Sequence, residues 1–291
     1  MSITITPVGQ DFACEIGGID LRQPASPQDI AAIRSAMDRY AVSFFRDQFI
    51  SDEQQIAFSR LFGNLENSPN FGRGNGESVR MKFAELFDVS NLDENGEMLA
   101  EDDRRRSYRI ANLMWHTDSS FQPGGAGYSL LSARITPERG ADTQFADMRG
   151  AYDRLPDSLR ADIDDLVVEH STFYSRSLAG YQFTPEELQR RKPTKQYLVQ
   201  THSGSGRRSL LLASHASQVL GMPLEEGRAL LRDLIERATV PELVYQHAWQ
   251  PGDLVIWDNR CTMHRATPFD EHAVKRDLRR TTVVGDLPIV A

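Results

Sequence analysis

Short strand-like runs separated by turn residues rather than by long helices constrain this chain more than any other feature. Residues 129–135, 143–147, 210–213, 243–249, 253–257 and 279–284 are short and rich in β-branched, aromatic and other apolar side chains, and Pro251-Gly252 marks a turn between two of them. Alternating βαβ units would place a helix of ten or more residues between successive strands, and that pattern does not recur. The expected fold is therefore mainly β with peripheral helices, a β-sandwich or jelly roll. Helices are predicted where caps precede an apolar period. Ser26 and Pro27 lead into Ile30, Ile33 and Met37; Ser51 and Gln54 form a capping box ahead of Ile56; Met222-Pro223 opens a helix with Leu230, Leu231, Leu234 and Ala238 on one face. Residues 41–46 read as a buried strand and 81–89 as another. The stretches 63–109 and 171–195 are irregular, which in a compact domain signals lids, binding loops or disorder, although Thr184-Pro185-Glu186-Glu187 looks like a helix start. With no repeat and no low-complexity linker, residues 1–291 are expected to form a single domain.

Composition narrows the function. Hydrophobic residues make up 40% of the chain, enough for a substantial core, and the formal charge is −8, which argues against holding nucleic acid through its phosphates. A local basic pocket for a small anion stays compatible with that total. Two cysteines, Cys14 and Cys261, are too few for a disulfide framework and suggest a reducing compartment; Cys261 reads as a small buried filler. The first residues show no secretory signal, and no apolar run approaches the roughly 20 residues that span a bilayer, so a soluble cytoplasmic protein without membrane partners is expected.

The chemistry-bearing motif is His116-Thr117-Asp118. On an extended strand residues i and i+2 face one side, so imidazole and carboxylate could converge on one ion while Thr117 points away. Alone the motif is weak. Far downstream, His264 can complete a set of two histidines and one carboxylate, which leaves coordination positions open and suits Fe(II) oxygen chemistry better than structural zinc. The alternative is that His264 is a hydrogen-bonded core histidine. Beyond it lie Arg276, Arg279 and Arg280. If that segment is extended, Arg276 and Arg280 share a face about 13 Å apart and Arg279 faces the other way. Two inward guanidiniums call for anions, such as a dicarboxylate co-substrate and an anionic substrate; a solvated basic face or internal ion pairs are the competing reading.

These residues resemble the 2-oxoglutarate-dependent dioxygenases of the taurine dioxygenase type (TauD/TfdA). The likeness runs through Asp20-Leu21-Arg22, Asp52-Glu53-Gln54-Gln55, Trp115-His116-Thr117-Asp118, Asp142-Thr143, Thr201-His202-Ser203-Gly204 and Leu278-Arg279-Arg280. His215-Ala216-Ser217 and Trp257-Asp258-Asn259-Arg260-Cys261 point to the branch that degrades 2,4-dichlorophenoxyacetate. The resemblance implies a double-stranded β-helix (cupin-like jelly roll), Fe(II) held by His116, Asp118 and His264, and O2 and 2-oxoglutarate as co-substrates. It implies that Thr143 and Arg276 hold the distal carboxylate of 2-oxoglutarate, and that Arg280, Asn112 and His202 meet the substrate. It also implies a homo-oligomer and a small anionic organic substrate, an aromatic carboxylate whose ring could rest on Phe173 or Tyr181. Hydroxylation next to the ether oxygen of an aryloxyalkanoate would release a phenol and glyoxylate, with succinate and CO2 from the co-substrate. Two departures stand out: Gly140-Ala141 replaces the familiar Gly-Gly before Asp142-Thr143, and residues 67–76 diverge, which leaves the substrate open. A sulfonate such as taurine could take the same site. A metal-binding β-barrel without turnover would be expected to have lost a ligand or the co-substrate arginine, and this chain keeps them all.

Overall fold

The computed structural model describes residues 3–9, 11–68, 80–101, 103, 110–184 and 192–290. Its central feature is a seven-stranded sheet in the order β1 (Thr4–Val8), β2 (Ala13–Gly17), β3 (Val42–Phe45), β13 (Leu254–Asp258), β5 (Ala126–Ile135), β15 (Asp277–Val284) and β4 (Phe87–Ser90). Opposite it lies a three-stranded sheet of β12 (Val244–His247), β6 (Thr143–Asp147) and β14 (Thr262–Ala266). A second three-stranded sheet joins β11 (Ala216–Val219), β7 (Val167–His170) and β8 (Thr194–Tyr197), and β9 (Val199–Thr201) pairs with β10 (Arg208–Leu210). All pairings are antiparallel except β2 with β3.

Strand alternation explains how one sequence fills two layers. On β13, Val255 and Trp257 enter the cluster between the facing sheets with Leu131 and Ala133 of β5, Phe145 of β6 and Leu278 of β15. Their neighbours Leu254 and Ile256 point to the other face, under Ile33, Met37 and Phe58 of helices α1 (Pro27–Tyr40) and α2 (Asp52–Arg60). Both predicted caps form: the Ser26 hydroxyl accepts from Asp29 N and the Ser51 hydroxyl from Gln54 N. The helix Leu224–Ala238 seals the second small sheet, burying Leu231, Leu234 and Ala238. Gly227 permits its close approach, since a Cβ there would lie 3.2 Å from Val219. Leu130 is fully buried beneath α1 and α2, so Leu130→Ala is expected to cost about 2–5 kcal/mol, read as a lower urea midpoint at unchanged slope.

Several boundaries differ from expectation. The strand expected over 210–213 pairs only as Arg208–Leu210, and the one over 243–249 is Val244–His247 after a 3-10 turn, Pro241–Leu243. The strand expected over 81–89 is confined to Phe87–Ser90. Strands β1, β7 and β8 are short, and β14 carries His264 and Arg265, so none shows clean apolar alternation. Pro185-Glu186-Glu187 of the expected helix start, and residues 69–76 of the divergent stretch, lie outside the described residues.

Burial also sets the pH response. His170 on β7 is fully buried beside the Ser120 hydroxyl, and burial pushes its pKa down to about 3. His116, His215, His247 and His264 are shifted the same way, also by burial first. The unfolded chain takes up these protons near pH 6.5 and the folded chain refuses them, so stability is complete above that pH and falls as pH drops toward about 3. The denaturant midpoint is expected to be lower at pH 5 than at pH 7; an equal or higher midpoint contradicts the assignment.

Candidate active site

His116 enters the site through a single β-bridge. Its N–H donates to His264 O at 3.0 Å, and His264 N–H returns a bond to His116 O at 2.8 Å, which sets the two imidazoles side by side with ring centroids 4.1 Å apart. The extended strand expected through 116–118 is therefore only this bridge, and the chain turns at once. Ser119, at φ 51°, adopts the left-handed conformation, and the turn brings the Asp118 carboxylate back against both rings. Thr117 points away as expected, its hydroxyl donating to Leu212 O and Thr262 O.

Ligand atoms of His116, Asp118 and His264 all lie within 4.8 Å of one another. His116 Nε2 is 4.0 Å from Asp118 Oδ1 and His264 Nε2 is 3.8 Å from Oδ2. Because a carbonyl can only accept, the 2.8 Å contact to Met114 O puts the His116 proton on Nδ1 and leaves the Nε2 lone pair for an ion. Burial keeps both imidazoles neutral, the form that coordinates a metal. Burial alone would raise the Asp118 carboxyl, but the charge of Arg280, helped by the hydrogen bond from Ser129, outweighs it and holds the group well below the usual carboxylate range. A ligand set of two neutral imidazoles and one ionised carboxylate thus fits a divalent metal. Asp118 is braced further: Ser129 Oγ donates to Oδ2 at 2.8 Å, Asn259 Nδ2 donates to Ser129 Oγ, and Asn259 Oδ1 accepts from Asp118 N and Trp257 Nε1.

The triad opens on a cavity of about 810 Å³, which Asn112, Phe121, Thr143, His215, Arg276 and Arg280 help to line. Strand β15 and the residue before it deliver the arginines as the period predicts. Arg276 and Arg280 reach the cavity, whereas Arg279 on the opposite face grips Asp52 of α2 at 2.7 and 2.6 Å. Arg280 hydrogen-bonds Asp118 Oδ1 through Nη1 and lies over the Phe87 ring. Ala141 occupies a left-handed position (φ 58°) where the family motif has glycine, and Thr143 still lines the cavity.

His202 is not in the cavity. Its Nε2 lies 2.9 Å from Asp258 Oδ2 and its Nδ1 2.8 Å from Ser205 Oγ, and Asp258 is also clasped by Arg260, so both ring nitrogens are spent on a closed, buried network. The expected substrate contact is corrected accordingly. Besides His116 and His264, the histidine that lines the cavity among the described residues is His215, held by Ser175 Oγ at 2.6 Å and edge-on to Phe121 at 4.8 Å. Its only sequence signal was its place in the branch-marking His-Ala-Ser. Phe173 and Tyr181 pack against Phe183 and are not among the lining residues. Sequence reasoning also missed Arg176 and Glu66. Both line the cavity, and burial pushes the Glu66 carboxyl up to about 7 against the opposing pull of Ser119 and Arg280.

Residues 4–282 match the family described as taurine catabolism dioxygenase TauD, TfdA family. The chain belongs to that family. It is 44% identical to an alpha-ketoglutarate-dependent 2,4-dichlorophenoxyacetate dioxygenase of Cupriavidus pinatubonensis, over 98% of this chain and 99% of the relative. It is 35% identical to an (S)-phenoxypropionate/alpha-ketoglutarate-dioxygenase of Sphingobium herbicidovorans, over 97% and 95% of the two chains. The crystal structure of AAD-2 in complex with Mn(II) and N-oxalylglycine superimposes with a TM-score of 0.91 at 47% identity, covering all of both chains. This TauD/TfdA chain is accordingly a dioxygenase with the family's jelly-roll fold. Among the described residues no helix is long and apolar enough to cross a membrane.

Proposed function

We propose that the chain hydroxylates the carbon next to the ether oxygen of an aryloxyalkanoate such as 2,4-dichlorophenoxyacetate, using Fe(II), 2-oxoglutarate and O2. The observation that carries the reading is the junction of two kinds of group in one cavity: a two-histidine, one-carboxylate set, and two arginines from a single strand face. His116, Asp118 and His264 hold Fe(II). Thr143 and Arg276 take the distal carboxylate of 2-oxoglutarate, a hydroxyl and a guanidinium fork being matched donors for it. N-Oxalylglycine, bound in the AAD-2 structure, has the 2-oxoglutarate skeleton with an NH in place of one methylene, which supports the co-substrate assignment. Bound there, the metal and co-substrate would supply O2 activation and oxidation of a C–H bond, with succinate and CO2 as co-products.

The chain's own residues orient and exclude. Arg280 pairs with Asp118 and lines the cavity next to it, so an anionic substrate head placed on it lies beside the metal site. Asn112 and His215 supply polar edges, and Leu86, Phe87, Val89, Phe121 and Leu131 give an aromatic ring an apolar wall. Product chemistry needs no further protein group, because a hemiacetal formed at that carbon collapses to a phenol and glyoxylate.

Released phenol matched one-to-one by succinate, with 2,4-dichlorophenoxyacetate and phenoxypropionates as substrates, is the expected assay result; taurine-dependent sulfite in their place would overturn the aryloxyalkanoate reading. Arg280→Ala is expected to raise KM for the organic substrate roughly 10- to 100-fold, the scale of a lost charged hydrogen bond. An unchanged KM would remove Arg280 from substrate binding.

A further inference from the structure

We infer that Trp249 is a positioning residue for the co-substrate, acting by fixing the direction of the Thr143 hydroxyl. The inference rests on the reading above that Thr143 binds 2-oxoglutarate. Trp249 Nε1 donates to Thr143 Oγ1 at 3.0 Å in a buried setting. An indole N–H can only donate, so it occupies a lone pair of the threonine oxygen and cannot receive the threonine proton. Among the described residues no protein acceptor takes that proton, while Thr143 lines the cavity. The hydroxyl is thereby left as a donor toward an anion in the cavity.

The indole is itself held in place. Thr143 of β6 pairs in register with His247 of β12, two residues before Trp249, and the indole meets the His247 ring edge-on with centroids 4.7 Å apart. His247 Nε2 is 2.9 Å from Asp253 Oδ2, and a carboxylate can only accept, so Nε2 donates and Nδ1 accepts from the Tyr245 hydroxyl at 3.0 Å. Asp253, with no solvent exposure, is held in turn by Arg46 and by Gln250 N–H. The chain Arg46, Asp253, His247 and Trp249 thus runs from the half-buried rim of the sheet to the hydroxyl, with an ion pair and hydrogen bonds at its base. Such a support shell decides whether a binding group is pre-aimed or must be ordered when the ligand arrives.

The test is calorimetric titration of 2-oxoglutarate into anaerobic Fe(II)-loaded protein for Trp249→Phe, Thr143→Val and the double variant, with thermal midpoints as a check on folding. Trp249→Phe is expected to weaken 2-oxoglutarate binding about three- to tenfold, the range for one neutral hydrogen bond, with kcat and the organic-substrate KM unchanged. In the Thr143→Val background the same change is expected to add less than about twofold, because the group it aims is gone. Equal weakening in both backgrounds would make Trp249 a packing residue and overturn the inference. Weakening by Thr143→Val with none by Trp249→Phe would overturn it too, leaving the assignment of Thr143 intact. No effect of Thr143→Val would sink that assignment and the inference together. Should Trp249→Phe fold poorly, Trp249→Leu serves the same comparison.

Discussion

Asp118→Ala is expected to abolish turnover and to strip Fe(II) binding while the jelly roll persists. Losing a group that merely supports a metal ligand costs about 10- to 100-fold in affinity or activity, so removing a ligand itself should exceed roughly 100-fold. The carboxylate is braced by Ser129 and ion-paired with Arg280, and it lies within 4.0 Å of both histidine Nε2 atoms. Its deletion also strands the Arg280 charge in a largely buried place, where an unmatched partner costs about 3–5 kcal/mol. Asp118→Asn separates the two effects by keeping the shape and part of the hydrogen bonding. His264→Ala should match Asp118→Ala in metal loss with less effect on stability, since it leaves no charge unpaired. Equilibrium dialysis of iron alongside denaturant melts distinguishes them. Near-normal turnover with either variant would disprove the ligand set.

Arg276→Ala is the second large effect. The guanidinium is buried at the cavity wall, with its backbone N–H on Asn91 Oδ1 at 2.7 Å and Nη1 on Val89 O at 3.2 Å, so its direction is set before any ligand binds. Removing one partner of a buried charge pair costs about 2 kcal/mol or more, and 2-oxoglutarate binding should weaken by at least roughly 30-fold. Arg276→Lys should recover only part of this, because an ammonium keeps the charge and loses the two-pronged geometry. Growth of the metal-to-ligand charge-transfer band with added 2-oxoglutarate reports the binding directly. The organic-substrate KM, measured at saturating 2-oxoglutarate, should change much less than for Arg280→Ala. Comparable shifts of both constants in both variants would argue against two separate anion positions.

Periodicity carried the fold a long way. The apolar run through residues 253–257 was legible as a strand, and the structure buries it on both faces, dividing Leu254 and Ile256 from Val255 and Trp257 between two cores. Strand period assigned Arg276 and Arg280 to one face and Arg279 to the other, and Arg279 does reach Asp52 on the helix side. Capping at Ser26 and Ser51 was legible for a similar reason, since a cap is a contact across three residues. Strands without clean alternation were not legible, because their polar positions face water or the site.

His116 and Asp118, and the two arginines, could be singled out because motif spacing and strand period are local properties, whereas His264 was assigned through the family resemblance, its local sequence leaving a core histidine open. Only the tertiary structure decided that His202 is locked to Asp258 while His215 opens on the cavity, and that Arg280 pairs with Asp118 before any substrate arrives. The role of a histidine or an arginine is set by which distant groups meet its nitrogens, and those partners come from strands far apart in the chain. Burial, which keeps the histidines neutral, is likewise a property of the assembled sheets and of no single segment.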